Sequence, residues 1–133
     1  MISAMRRILI PVLLLLAVSC SPVHPNVEGH PGRINHIVIL WLKNPKDEQG
    51  KQRIIELSRG FKSIPGMVEV SAGRMNPSTP RPELDTSYDI AVVMTFKTSD
   101  DLENYLVSPR HKSAVEKVLK PLVRKQVVYD FAE

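Results

Sequence analysis

A tyrosine and a histidine in the segment YLVSPRH, Tyr105 and His111, are the residues best suited to chemistry. A histidine can act as a general base near neutral pH, and a neighbouring tyrosine can orient it or donate a hydrogen bond to an enolate oxygen. A third ring, His36, shares one face of an apolar segment with Val38 and Leu40. These three rings are the candidate catalytic residues. The alternative is structural, because a buried histidine needs a hydrogen-bond partner, which Tyr105 or a backbone carbonyl would supply.

The other polar residues give weaker signals. His24 and His30 lie in a segment without periodicity, which is typical of solvated histidines. A metal held by two histidines and Asp89 would require strand faces that the spacing does not fix, so no metal is predicted. Asp130 is expected to serve structure at a strand end. The sequence has no G-x-S-x-G, phosphate-binding glycine loop, CxxC or HExxH, and no cofactor is predicted.

The N-terminal segment has the features of an export signal. Arg6 and Arg7 precede an apolar run of about a dozen residues, which is shorter than the roughly 20 residues of a membrane-spanning helix. The run ends in AVSC, which resembles a bacterial lipobox, and Cys20 is therefore the predicted lipidation site. A signal peptide with an incidental cysteine is the alternative. Ser21, rather than aspartate, follows Cys20 and favours the outer membrane over the inner one.

The sequence divides into three predicted parts. Residues 1–19 form a lipoprotein signal peptide, residues 20–33 a flexible tether rich in proline and glycine, and residues 34–133 one domain. Cleavage removes two arginines and no acid, which lowers the formal net charge from +4 to +2. Basic residues are scattered among acids, so no nucleic-acid partner is expected. The predicted location is the bacterial envelope, with the domain facing the periplasm on a lipid anchor.

Hydrophobic periodicity predicts the order β-α-β-β-α-β, the ferredoxin-like α+β unit. An apolar stripe that starts at Ile54 and ends at Ile64 predicts the first helix. Ser99 is the expected N-cap of the second helix. Ser108 and Pro109 predict that this helix stops and restarts, because proline suits the first position of a new helix. The predicted strands cover residues 34–43, 67–75, 88–96 and 125–131.

Both faces of the predicted sheet are apolar. The first strand places Ile37 and Ile39 on one face and Leu40 and Leu42 on the other. Two helices can cover only one face, and an exposed apolar sheet would favour aggregation. The simplest cover is a second copy packed sheet against sheet, so a homodimer is predicted.

The domain resembles the stress-responsive A/B barrel (Dabb) family from about Arg33 to Phe131. The resemblance rests on the segments HIVILWLK, IPGMVEVSAGR, YDIAVVMTF, YLVSPRHKSAVEKVLKPLV and VVYDF. It implies a ferredoxin-like monomer whose dimer packs two sheets into an α/β barrel. One plant member is a polyketide cyclase that catalyses an intramolecular aldol condensation. Its catalytic tyrosine and histidine match Tyr105 and His111, and its first-strand histidine matches His36, whereas a further pocket histidine falls at Asp89.

Two functions follow from these observations. The first is a non-catalytic homodimer with a stress-related or small-ligand-binding role. The alternative is a cofactor-free lyase or cyclase that acts on a small carbonyl compound through His111 and Tyr105. An open apolar cavity between sheet and helices, with both rings facing it, would indicate a ligand or substrate. A filled core would indicate a structural role.

Overall fold

The computed structural model describes residues 32–133. The predicted signal peptide, Cys20 and most of the predicted tether lie outside this range. No helix within the described residues is long and apolar enough to cross a membrane. The elements in chain order are β1 (Ile34–Leu42), α1 (Glu48–Gly60), a 3-10 turn (Phe61–Ser63), β2 (Met67–Arg74), β3 (Ile90–Phe96), α2 (Ser99–Val107), α3 (Pro109–Ala114), a π-helical turn (Val115–Leu119), α4 (Lys120–Leu122) and β4 (Val123–Ala132).

The four strands form one antiparallel sheet in the order β2-β3-β1-β4. This order confirms the predicted ferredoxin-like α+β fold. The register places Val38 of β1 opposite Val92 of β3 and Val128 of β4. Even-numbered residues of these three strands therefore share the face under the helices. The core lies between that face and the helices, with Leu40, Ile90 and other apolar side chains fully buried.

Local signals explain where α1 begins and ends. The Asp47 carboxylate caps its N-terminus by accepting a hydrogen bond from the Gly50 amide at 2.8 Å. A β-carbon at Gly50 would lie 2.4 Å from that carboxylate, so glycine permits the close approach. Buried Ile54 and Ile55 hold the helix on the sheet. The apolar stripe continues to Phe61, but the chain there has tightened into the 3-10 turn.

Thr98, and not Ser99, caps α2. The Thr98 hydroxyl accepts a hydrogen bond from the Asp101 amide at 3.1 Å, and Thr98 has extended backbone angles. Ser99 is already the first helical residue, so its prediction as N-cap was wrong by one position. The predicted restart is confirmed, because the Ser108 hydroxyl accepts from the His111 amide at 3.1 Å and Pro109 is the first residue of α3.

The last helical region contains a π-helical turn, Val115–Leu119, where the sequence predicts a continuous α-helix. The Lys120 amide donates to the Val115 carbonyl five residues earlier. Pro121 explains the change, because proline has no amide hydrogen and its ring would clash with the carbonyl four residues before it in an α-helix. That carbonyl belongs to Lys117, inside the π turn. Shifting the hydrogen bonds by one residue relieves the clash.

The outer face of the sheet, away from the helices, is apolar, as the sequence predicts. Ile37 and Ile39 are only half-buried, and Tyr129 and Phe131 of β4 are 59% and 50% exposed. One end of this face is covered, since the Lys125 ammonium lies 4.3 Å from the centroid of the Trp41 ring. The central part has no cover within residues 32–133.

Candidate functional site

A cavity of about 290 Å³ separates the helix-side face of the sheet from the helices. Most of its lining is apolar, from β1, β3, α1 and the region between α2 and α4. Its mouth lies at the edge strand β4, where the lining residues Gln126 and Val128 are exposed. The polar side chains of the lining are His36, Ser58, Tyr105, His111 and Gln126.

Tyr105 lies on the buried face of α2. Its ring packs against Phe61 at 5.4 Å and Phe96 at 5.3 Å between centroids, and the residue is only 2% exposed. Its hydroxyl makes no hydrogen bond within residues 32–133, and no fully buried polar side-chain atom there lacks a partner. The hydroxyl therefore has accessible surface. The accessible space that Tyr105 lines is the cavity. Burial raises the pKa of Tyr105 well above its usual value, so this phenol remains a hydrogen-bond donor.

The orientation of the His111 ring is set by a hydrogen bond across the break between α2 and α3. Its Nδ1 lies 2.9 Å from the Leu106 carbonyl oxygen, which only accepts hydrogen bonds, so Nδ1 carries the proton and donates. In the neutral ring the Nε2 atom then has a free lone pair. The His111 ring also lines the cavity, with its centroid 4.7 Å from that of Tyr105. The backbone partner expected for a structural histidine is thus present, and it leaves Nε2 available.

His36 is oriented by Asp130. Its Nδ1 lies 2.6 Å from the Asp130 carboxylate, which accepts the hydrogen bond and fixes the proton on Nδ1. Strand pairing produces this contact, because His36 and Asp130 are direct partners in the β1–β4 register. The His36 ring is buried, lines the cavity, and lies 6.2 Å from the Tyr105 ring. The structure therefore brings all three predicted rings to one cavity.

Asp89 does not belong to this group. Its carboxylate accepts a hydrogen bond from the Leu42 amide at 2.7 Å and lies 3.8 Å from the Lys51 ammonium. It ties the loop before β3 to the end of β1. Within residues 32–133 no three histidine, cysteine, aspartate or glutamate side chains are arranged to hold a metal. His24 and His30 lie outside the described residues.

Sequence reasoning missed three features of the site. Asp130 was expected only to serve strand structure, although alternation along β4 places it on the same face as Val128 and Gln126. Gln126 at the mouth gave no signal because it sits within a run of exposed polar residues. Ser58 is a cavity residue whose hydroxyl donates to the Ile54 carbonyl at 2.8 Å, so it is already satisfied.

The arrangement presents one donor and two acceptors in apolar surroundings. The donor is the Tyr105 hydroxyl, and the acceptors are the Nε2 lone pairs that His36 and His111 have whenever their rings are neutral. Polar interactions strengthen when little water surrounds them. The cavity exceeds the about 150 Å³ of an engineered apolar cavity that admits benzene. It is thus large enough for a small organic molecule, and its polar groups can orient one oxygen-containing substituent.

Comparison with known proteins identifies the family. The model of the Dabb family, the stress responsive A/B barrel domain, matches residues 34–133. A Dabb family protein of ferredoxin-like fold from Mesorhizobium loti is similar, with 22% identity and a TM-score of 0.63 over 77% of this chain and 97% of that one. A protein of unknown function from Thermobifida fusca, described as dimeric, has 20% identity and a TM-score of 0.62 over 77% and 92% of the two chains.

A hydroxynitrile lyase from Passiflora edulis is similar to the same extent. It has 23% identity and a TM-score of 0.65, over 77% of this chain and 94% of that one. The comparison with curated proteins gives no match. Identities this low show a shared fold, whereas the family model covers the whole described domain except its first two residues. The chain therefore belongs to the stress-responsive A/B barrel (Dabb) domain family.

Proposed function

We propose that this protein binds a small, largely apolar molecule with one carbonyl or hydroxyl group in the cavity between sheet and helices. One observation supports this most directly. The cavity is open and is lined by Tyr105, His36 and His111, and within residues 32–133 the Tyr105 hydroxyl and the two histidine Nε2 atoms make no hydrogen bond. A binding pocket with apolar walls and a few convergent polar groups has this composition. In this proposal the protein is a non-catalytic binding protein, and a stress-related role would depend on the ligand it binds.

The test uses benzaldehyde, an aromatic carbonyl compound small enough for the cavity. Adding benzaldehyde stepwise should shift the nuclear magnetic resonance signals of the Tyr105 and His111 rings. The variant Ala114→Phe, which places a ring in the cavity, should lose these shifts while remaining folded. If benzaldehyde and similar compounds shift only surface residues, the proposal is wrong.

A second candidate is a cofactor-free lyase or cyclase that acts on a small carbonyl compound. The observation that favours it is the Tyr105–His111 pair at one wall of the cavity. The His111 Nε2 atom would accept a proton from the substrate as a carbon–carbon bond breaks or forms. The Tyr105 hydroxyl would donate to the substrate oxygen where negative charge develops. The fold shared with the Passiflora edulis lyase supports this candidate only as an analogy.

Turnover separates the two candidates. Mandelonitrile, an aromatic cyanohydrin, would give benzaldehyde and hydrogen cyanide: His111 takes the hydroxyl proton, the bond to the cyano carbon breaks, and the leaving cyanide takes that proton. The benzaldehyde formed is measured by its absorbance. His111→Asn keeps an amide donor near the Nδ1 position for the Leu106 carbonyl but lacks an imidazole base, so kcat should fall about 10²–10⁴-fold. If the wild-type protein and the variant turn over this substrate at the same rate, His111 is not a catalytic base for this substrate class, and the binding function still stands.

We also propose that the protein is a homodimer through the outer face of its sheet. Tyr129 and Phe131 are exposed there, beside half-buried Ile37 and Ile39. The Thermobifida fusca relative is described as dimeric. Light scattering at micromolar concentration should give twice the mass of one chain, and a stable monomer would contradict the proposal.

The proposed location is the bacterial envelope, with Cys20 as the lipidated N-terminus of the mature protein. The support is the AVSC segment after a short apolar run. Several acyl chains give firm anchoring where one is marginal. Cys20→Ala should move the protein from the membrane fraction to the soluble fraction, and continued membrane association would contradict the assignment.

A further inference from the structure

A shallow groove of about 230 Å³ adjoins the mouth of the cavity. The two share three lining residues, Val115, Leu119 and Gln126. The rest of the groove comes from α4 and the start of β4, including Lys120 and Arg124. A ligand longer than the cavity would therefore extend past Gln126 into a groove with basic side chains.

Two of the nearby lysines are engaged by the protein itself. The Lys43 amide donates to the Leu122 carbonyl at 2.8 Å, and its ammonium donates to the Lys120 carbonyl at 2.8 Å. These bonds satisfy carbonyl groups at the C-terminal end of the helical region, which would otherwise repel an anion. The Lys120 ammonium forms an ion pair with Glu116.

A third lysine is turned away from the groove. The Lys125 ammonium lies over the Trp41 ring, on the outer face of the sheet. Its side chain therefore stabilises the covered end of that face by a cation–π contact. Lys125 contributes to the groove lining, but its charge is directed elsewhere.

Arg124 is the cation left for a ligand. In the β1–β4 pairing, Trp41 lies opposite Lys125 and the next residue, Leu42, lies opposite Val123. Arg124 is skipped and has no cross-strand partner. Such a bulge changes the direction of a side chain relative to the regular strand. Within residues 32–133 no carboxylate lies within 4.0 Å of the Arg124 guanidinium. Arg124, which forms no ion pair within residues 32–133, thus lines the groove beside an apolar cavity.

We infer that the ligand of this protein is an amphipathic carboxylate, with its apolar body in the cavity and its carboxylate on Arg124 in the groove. This rests on the proposed binding function. A guanidinium matches a carboxylate with two parallel N–H donors. A single unpaired cation suits one negative charge better than the two charges of a phosphate monoester. The other lysines keep their existing partners in this arrangement.

The test compares octanoate with 1-octanol, which have chains of equal length and differ in charge. Calorimetry on the full chain should show tighter binding of octanoate, with an affinity that falls as salt is added. Arg124→Gln should weaken octanoate about three- to fivefold, the effect expected for one exposed charge pair. It should leave octanol unchanged. Arg81→Gln, an exposed arginine in the loop before β3, is the matched control and should change neither.

The outcomes separate this inference from the proposed function. Equal affinities for octanol and octanoate, or an unchanged octanoate affinity in Arg124→Gln, would overturn the carboxylate inference while the binding function stands. Failure of both compounds to bind would overturn the binding function itself. Retained octanoate preference in Arg124→Lys, together with its loss in Arg124→Gln, would support a charge role over a packing role.

Discussion

The effect of Ala114→Leu on the free energy of unfolding tests whether the cavity is empty in solution. Ala114 lies at the end of α3, is 5% exposed and lines the cavity. Leucine adds roughly three methylene equivalents at about 0.8 kcal/mol each, or about 2.4 kcal/mol of burial. Immobilising the longer side chain costs about 0.5–1 kcal/mol. The folded state should therefore gain about 1.5 kcal/mol, because the cavity provides room for the new atoms.

A second buried alanine provides the matched control. Ala72 on β2 is 7% exposed and packs in the core, but it does not line the cavity. Ala72→Leu should therefore overpack the core and destabilise the protein by about 1–3 kcal/mol. The same chemical change is thus expected to have opposite signs at two positions of similar burial.

Urea unfolding followed by circular dichroism measures both variants at one protein concentration, because a dimer unfolds in a concentration-dependent way. Binding of 1-octanol should weaken in Ala114→Leu and remain in Ala72→Leu. Destabilisation of Ala114→Leu by 1 kcal/mol or more, at the scale of overpacking, would refute the reasoning. It would mean that side chains occupy the space in solution and that the core is filled.

Further predictions concern caps, titration and assembly. Thr98→Ala should cost about 1 kcal/mol in urea unfolding, whereas Ser99→Ala should cost little, because only Thr98 caps α2. Burial raises the pKa of Tyr105, so the unfolded chain loses this proton first and stability should fall above about pH 10, at up to about 1.4 kcal/mol per pH unit. Tyr105→Phe should remove that part of the loss in unfolding experiments at pH 9 and 11. Tyr129→Asp should convert the dimer to a monomer by light scattering, and an unchanged mass would place the interface elsewhere.

The fold could be predicted because its signals are local and repeated. Alternating or β-branched runs marked the four strands, and the Ile54 stripe marked α1. The errors were local: β3 and β4 begin two residues from their predicted starts, the π-helical turn was not predicted, and the N-cap of α2 is Thr98 and not Ser99. Both are good capping residues, and the choice depends on which one takes the extended backbone angles. That choice is made by the path from β3 into α2, which the sequence does not specify.

The site was predictable only where its parts are near each other in the chain. Tyr105 and His111 flank one helix break, so spacing alone indicated a common interior. The His36–Asp130 contact spans 94 residues and depends on the β1–β4 register. The cavity itself depends on how far the helices stand from the sheet, which is a sum over many packing contacts. A pattern of residue types does not contain that distance.

The π-helical turn between α3 and α4 also bears on how the chain tolerates changes of length. A turn closed by bonds across five residues contains one residue more than an α-helical turn, so it is equivalent to an α-helix that has absorbed an insertion. The extra residue is taken up between His111 and the start of β4, in the segment that carries the cavity residues Val115 and Leu119. A relative that lacks one residue here, and also lacks Pro121, could form a regular helix and still enter β4 at the same place. A change of length by one residue can therefore be accommodated inside the helix, beside the cavity, as well as in the surface loops.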